Sequence, residues 1–184
     1  MSFKKTFLVQ LAVIRLLTGC QSGKIQINGD VLGFQDGDTI CLTTDLDGLT
    51  PMTRVIVKDG HFSAEEMADS IRLYVVYPSG KPECRATFFS EPGSITVTMS
   101  NRPGESRVHG SKLNNEWQAL NDKASEYGQR IIRLVNTKAE DRNLFTQVSK
   151  LHRELADMID ETAKQNSDNY LGQFIKEHWN RENL

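Results

Sequence analysis

Between residues 24 and 109 apolar and polar positions alternate in short runs; after Gly110 the apolar spacing changes to threes and fours. Lys24-Ile25-Gln26-Ile27-Asn28-Gly29 alternates, residues 52–57 alternate, and residues 94–99 alternate again. A period of two sorts side chains onto the two faces of a strand. Asp59-Gly60 is a tight-hairpin signal, with His61-Phe62-Ser63 as the returning strand. Residues 71–77 are apolar on both faces and predict a central strand, closed by Pro78 and Gly80. Residues 39–43, 85–89 and 107–109 bring the total to about eight strands, with turns at Asp36-Gly37-Asp38, Asp45-Leu46-Asp47-Gly48 and Glu91-Pro92-Gly93. This spacing predicts an antiparallel β-sandwich or open barrel.

Beyond Gly110, Leu113, Trp117, Leu120, Ala124, Tyr127, Ile131 and Leu134 recur at alternating steps of four and three. They form one helical seam, with Asn114 as its expected amino-terminal cap. Asn136-Thr137 interrupts the pattern, and Thr137-Lys138-Ala139-Glu140 has the capping-box form. A second seam runs Leu144, Val148, Leu151, Leu155, Met158/Ile159, Ala163. Two such helices on a short loop predict an antiparallel hairpin with arms of about 35–40 Å. Asn166-Ser167-Asp168 breaks and recaps the chain before a shorter third helix from Tyr170 to about Trp179. The expected class is α+β, with a leader over 1–19, an antiparallel β domain over 20–110, and a helical hairpin plus short helix over 111–184.

The leader differs in kind. Lys4 and Lys5 precede a mostly apolar run over residues 6–17, whose one charge is Arg15, and Leu17-Thr18-Gly19-Cys20 ends it. The run is shorter than the roughly 20 residues of a membrane span, and the whole has the build of a secretory signal. Its end resembles the lipobox of bacterial lipoproteins. That resemblance implies cleavage before Cys20, a thioether-linked diacylglycerol on Cys20 and an acylated amine. Two or three acyl chains, at about 0.8 kcal/mol per buried methylene, anchor stably. The residues after Cys20 carry no acid. The expected address is a periplasm-facing envelope membrane, the outer one before the inner.

The chain carries a formal charge of -2; the leader holds Lys4, Lys5 and Arg15 and no acid, so its removal leaves -5. A mildly acidic chain without Lys/Arg clusters argues against a nucleic-acid partner. Besides Cys20 there are two cysteines, Cys41 and Cys84. Cys41 points away from Ile40 and Leu42, whereas Cys84 shares the face of Ala86 and Phe88. Cysteines on opposite faces of one sheet cannot be bridged, so two unpaired, packed thiols are expected.

Catalytic and metal chemistry find little support. His61, His109, His152 and His178 show no metal-ligand spacing. Asp45-Leu46-Asp47-Gly48 lacks the later oxygen ligands of a calcium loop, so turn chemistry is the better reading. Arg85 follows Cys84 but is expected on the other face, so neither Cys41 nor Cys84 has a basic group placed to favour the thiolate, and there is no G-x-S-x-G and no phosphate loop. No cofactor, metal or catalytic residue is therefore expected. Tyr74, Tyr77 and Phe89 are the candidate binding residues, if solvent-facing, although Tyr74 and Phe89 are expected to be covered. Trp117 is expected in the core.

The order of the turns and caps carries a further indication. Asn28-Gly29, Asp59-Gly60-His61-Phe62, Phe89-x-Glu91-Pro92-Gly93, Val108-x-Gly110-Ser111 and Asn166-x-Asp168-x-x-Leu171-Gly172 follow the lipobox in turn. This resembles lipoproteins of Gram-negative gut bacteria whose amino-terminal part is the domain of unknown function 4369. In that family a thioredoxin-like domain with a C-x-x-C pair usually follows; here the sequence stops where it would begin, and there is no C-x-x-C. The resemblance implies company with thiol-redox proteins and carries over no catalytic residue. The expected function is a non-catalytic, lipid-anchored platform or docking and spacer module. The alternatives are a glycan- or peptide-binding module using the β surface, and a thiol-active protein using Cys41 and Cys84.

Overall fold

The computed structural model describes residues 23–137 and 142–179. The leader, Cys20 and residues 138–140 of the capping box lie outside them. Eight strands come first: β1 (Gly23–Leu32), β2 (Thr39–Thr43), β3 (Thr53–Ile56), β4 (His61–Ala68), β5 (Leu73–Pro78), β6 (Ala86–Phe89), β7 (Gly93–Ser100) and β8 (Arg107–His109). Three helices follow: α1 (Lys112–Thr137), α2 (Leu144–Gln165) and α3 (Tyr170–His178). The class is α+β, as the change of period at Gly110 implies.

The strands form two four-stranded sheets, ordered β4-β1-β7-β8 and β3-β2-β5-β6. The alternation seen in sequence becomes the core between them. Ile25, Ile27, Ile95 and Val97 from one sheet meet Ile40, Leu42, Val76 and Phe88 from the other, all essentially without exposure. β5 lies between β2 and β6, as its two apolar faces predict.

One pairing is not antiparallel. β1 and β7 run parallel, from Ile25 opposite Gly93 to Leu32 opposite Ser100. A parallel pair needs a long crossover, and here the whole second sheet supplies it. The hairpin at Asp59-Gly60 forms as expected, with both residues at positive φ, 53° and 77°, and Lys58 bridged to His61. Its arms then part, β3 joining β2 and β4 joining β1. The turn is thus a corner between sheets. Gly29 lies opposite Phe62 across β1 and β4, and a Cβ on Gly29 would sit 2.0 Å from that ring. The glycine makes the space that the aromatic fills.

The helices cover the outer face of the second sheet at β6. Phe89 of β6, Leu113, Trp117 and Leu120 of α1, Ile159 and Ala163 of α2, and Leu171, Phe174 and Ile175 of α3 form a second core. The cap of α1 is Ser111, whose Oγ accepts from Asn114 N at 3.0 Å, which corrects the expectation for Asn114. Asn114 lies inside the first turn, fully buried. Its Oδ1 accepts from Phe89 N at 2.7 Å and its Nδ2 donates to Phe89 O at 2.9 Å. The side-chain amide thus extends the ladder beyond β6. The recap before α3 is also corrected: Asn169 accepts from Leu171 N and Gly172 N.

Candidate functional site

Two places in the fold present surface that the packing leaves open. The first is a cleft of about 450 Å³ on the outer face of the second sheet, between the helices and Leu46 of the loop after β2. Val75 and Thr87 belong to its floor, and Trp117, Phe174 and Trp179 supply aromatic walls. Its polar groups mostly fasten helix to sheet. Trp117 Nε1 donates to Thr87 Oγ1 at 2.9 Å. Gln118 Oε1 accepts from Val108 N at 2.9 Å, and Gln118 Nε2 donates to Asp122 Oδ1 at 2.9 Å. Arg107 pairs with Asp122 at 3.2 Å. With those groups engaged, the cleft offers apolar and aromatic contact more than reactive chemistry.

The second is the free end of the hairpin. Its direction follows from three contacts. Gly110 N donates to Asn115, Val108 N to Gln118, and Arg107 meets Asp122. As α1 advances, β8 therefore recedes. β8 is antiparallel to β7 and β7 is parallel to β1, so α1 runs in the sense of β1. Three residues of strand rise about 10 Å and seven of helix about 10 Å, so the two axes run nearly together here. Residues 123–137 then extend roughly 22 Å past the level of Asp122. The end of the hairpin and Gly23 lie at opposite ends of the molecule, about 40 Å apart along its axis. Among the described residues from Asn121 to Lys150, none is buried.

The residues singled out from sequence are placed as follows. Tyr74, Tyr77 and Phe89 are all buried, at 4%, 6% and 0% exposure, and form no binding platform. Tyr74 packs between the sheets and stacks on Phe88 at 5.4 Å. Tyr77 lies on the outer face beside Cys41 and Val75, its hydroxyl donating to Leu49 O. Burial pushes both phenols above their ordinary range. Phe89 is covered by the helices, and Trp117 is in the core as expected.

Cys41 and Cys84 are free, buried thiols. Cys84 sits in a single 3₁₀ turn, Pro82–Cys84, not in a strand. Burial, reinforced by Glu83, pushes its thiol up, which opposes the reactive thiolate. A disulfide-exchange reagent should therefore titrate neither thiol in the native protein and both after denaturation. Rapid native labelling would restore the thiol-active reading.

Asp45 accepts from Gly48 N at 2.9 Å and Thr50 N at 3.1 Å. These bonds hold its carboxyl below the usual range, and the loop is a turn as expected. His61 meets Asp30 at 2.6 Å on the exposed surface. Among the described residues no cluster of three or more His, Cys, Asp or Glu side chains is placed to hold a metal, and no helix is long and apolar enough to cross a membrane. The cleft was not legible in the sequence, because it joins loops, three strands and two helices. The free hairpin end had one signal, apolar residues just outside the seam.

Comparison with known proteins gives one result. A family model described as a domain of unknown function (DUF4369) matches residues 25–117, from the start of β1 into the second turn of α1. A search of curated proteins found no match.

Proposed function

This chain belongs to the family of the domain of unknown function DUF4369, and from that premise we propose that it is a non-catalytic, lipid-anchored platform of the cell envelope. Cys20 holds it to a membrane on the periplasmic side. The hairpin serves as a docking arm, in the company of thiol-redox proteins of the thioredoxin-like kind.

The observation that carries this reading is the polarity of the molecule. The chain enters the fold at Gly23, three residues after Cys20, and the unburied hairpin lies at the far end. A tether at one end leaves the arm at the other free to meet a partner. Two or three acyl chains are ample for such a tether.

Detergent phase partition tests the anchored part. Wild-type protein should enter the detergent phase and Cys20→Ala the aqueous phase. Identical, fully aqueous behaviour of the two would sink the proposal.

A further inference from the structure

We infer that the cleft on the outer face of the second sheet binds a small organic carboxylate with an apolar or aromatic body. Arg85 holds the acid, and Leu46, Val75 and Trp179 hold the body. The site is separate from both the anchor and the hairpin end. Its volume, about 450 Å³, lies in the range of small-molecule sites. The floor fixes the layout. Arg85 is extended (φ -64°, ψ 157°), so it follows the alternation of β6 and shares the outward face of Thr87 and Phe89. Across the ladder, Leu73 lies opposite Phe89 and Val75 opposite Thr87. The Leu73–Phe89 row packs under the helices. Arg85 stands two residues, about 7 Å, beyond Thr87 in the other direction. The cleft therefore has an apolar end and a charged end.

The apolar end is already built. Trp117 is tied through its indole N–H to Thr87 of the floor. Trp179 lies against Trp117 with 5.2 Å between ring centroids, and Phe174 meets Trp117 edge-on at 5.6 Å. Leu46 supplies the opposite wall and is 46% exposed. Its loop is held by the Asp45 bonds to Gly48 N and Thr50 N. A flat ring resting on Val75 covers the open apolar surface of Leu46 on one side and of half-buried Trp179 on the other.

The polar groups decide the ligand's chemistry. Arg107 pairs with Asp122 and also donates to Gly104 O at 2.7 Å. Both ends of Gln118 are taken, and Asn121 Nδ2 donates to Trp117 O at 2.9 Å. Ser106 Oγ donates to Cys84 O at 2.7 Å and accepts from Ser100 N at 3.0 Å. His178 stacks on Phe174 at 4.6 Å. Arg85 differs from these: it is exposed, and its guanidinium has no hydrogen-bond or ion-pair partner among the described residues. A sugar needs many free donors and acceptors, and most of those here are already paired. A cationic ligand meets two arginines against one aspartate, itself engaged by Arg107. A guanidinium forms two parallel hydrogen bonds to a carboxylate, so an acid with an apolar body satisfies both ends of the cleft.

Heteronuclear NMR of the nitrogen-labelled full chain carrying Cys20→Ala tests this, with hydrocinnamate as the probe. The chain has two tryptophans, so its two indole N–H signals, Trp117 and Trp179, both report on the cleft, and Trp179→Phe assigns them. Hydrocinnamate should shift both signals to saturation. Its uncharged amide should bind about 10-fold more weakly or worse, the scale of a charge-assisted hydrogen bond, and phenylpropylamine should not bind. Arg85→Gln should weaken hydrocinnamate by the same factor and abolish the preference for acid over amide, whereas Arg85→Lys keeps part of it. Arg85 is exposed, so the unliganded indole signals of both variants should stay in place. Trp179→Ala, at the apolar end, should weaken acid and amide alike. No shift with hydrocinnamate at tens of millimolar overturns the inference. Equal binding of acid and amide overturns it too, as does an Arg85→Gln variant that binds the acid as wild type does. The acyl chain is absent throughout, so the anchor is judged separately by detergent partition.

Discussion

Replacing Phe89 with alanine is expected to cost about 3–5 kcal/mol of stability, the range for a buried aromatic truncated in a core. The residue has no exposure and sits where the two halves of the molecule meet. Its ring lies 5.3 Å from Trp117, 5.3 Å from Tyr170 and 5.2 Å from Phe174. Edge-on and tilted aromatic pairs of this kind add roughly 0.5–1.5 kcal/mol each beyond the area they bury. Alanine removes the ring that all three share and leaves a cavity that rigid neighbours close poorly. Urea unfolding followed by tryptophan fluorescence and by far-ultraviolet circular dichroism measures the effect. The midpoint should fall with the slope unchanged if the molecule still unfolds as one unit. Separate transitions would show that the helices then leave the sandwich first. A loss below about 1 kcal/mol, the ordinary level for a point substitution, would mean that the helices are held to the sheet by something other than this ring.

The second large effect belongs to Asn114. Asn114→Leu removes both hydrogen bonds to Phe89; Phe89 O keeps its bond from Glu91 N at 2.8 Å, but the buried Phe89 N–H loses its partner. At about 1–3 kcal/mol for an unsatisfied group, with the second bond lost as well, a loss of roughly 2–3 kcal/mol is expected. Asn114→Asp separates hydrogen bonding from volume. The introduced carboxylate still accepts from Phe89 N, but its second oxygen faces Phe89 O, and the charge is buried. Both effects raise the folded-state pKa above the unfolded value. Protonation lets the carboxyl donate to Phe89 O, so the favourable contribution is full below the unfolded pKa, about 3.9. It is lost as pH rises through the higher folded pKa. The variant should be markedly less stable than wild type at neutral pH and recover part of the difference in acid. Equal deficits at both pH values would show that the amide is not the ladder extension described here.

What sequence reasoning reached, and what it missed, divides by the range of the interaction. The seams of α1 and α2 were readable because every spacing in them is local, and Trp117 fell in the core for that reason. The two faces of β5 were readable for the same reason. Asn114 was misread because an asparagine one turn into a helix looks like a cap unless its partner is known. That partner, Phe89, is 25 residues away. The parallel pairing of β1 with β7 had no local sign, since alternation gives faces and says nothing of neighbours. Gly29 and Gly172 read as turn or cap residues in the family pattern. In the fold each is a close approach: Phe62 fills the space over Gly29, and a Cβ on Gly172 would lie 2.1 Å from Asn166 O. Tyr74 and Phe89 are covered as expected, whereas the cover over Tyr77 had no sign in the sequence, because alternation in a strand flanked by other layers cannot tell an open face from a covered one.

The place of β1 has a mechanical consequence. It is hydrogen-bonded on both sides, to β4 from Gly23 to Asp30 and to β7 from Ile25 to Leu32. A pull on Gly23 along the strand therefore loads both ladders in shear, with many bonds sharing the force at once. An outermost strand pulled across its length would peel one bond at a time. A body tugged from Gly23 is in this way gripped where many bonds share the load.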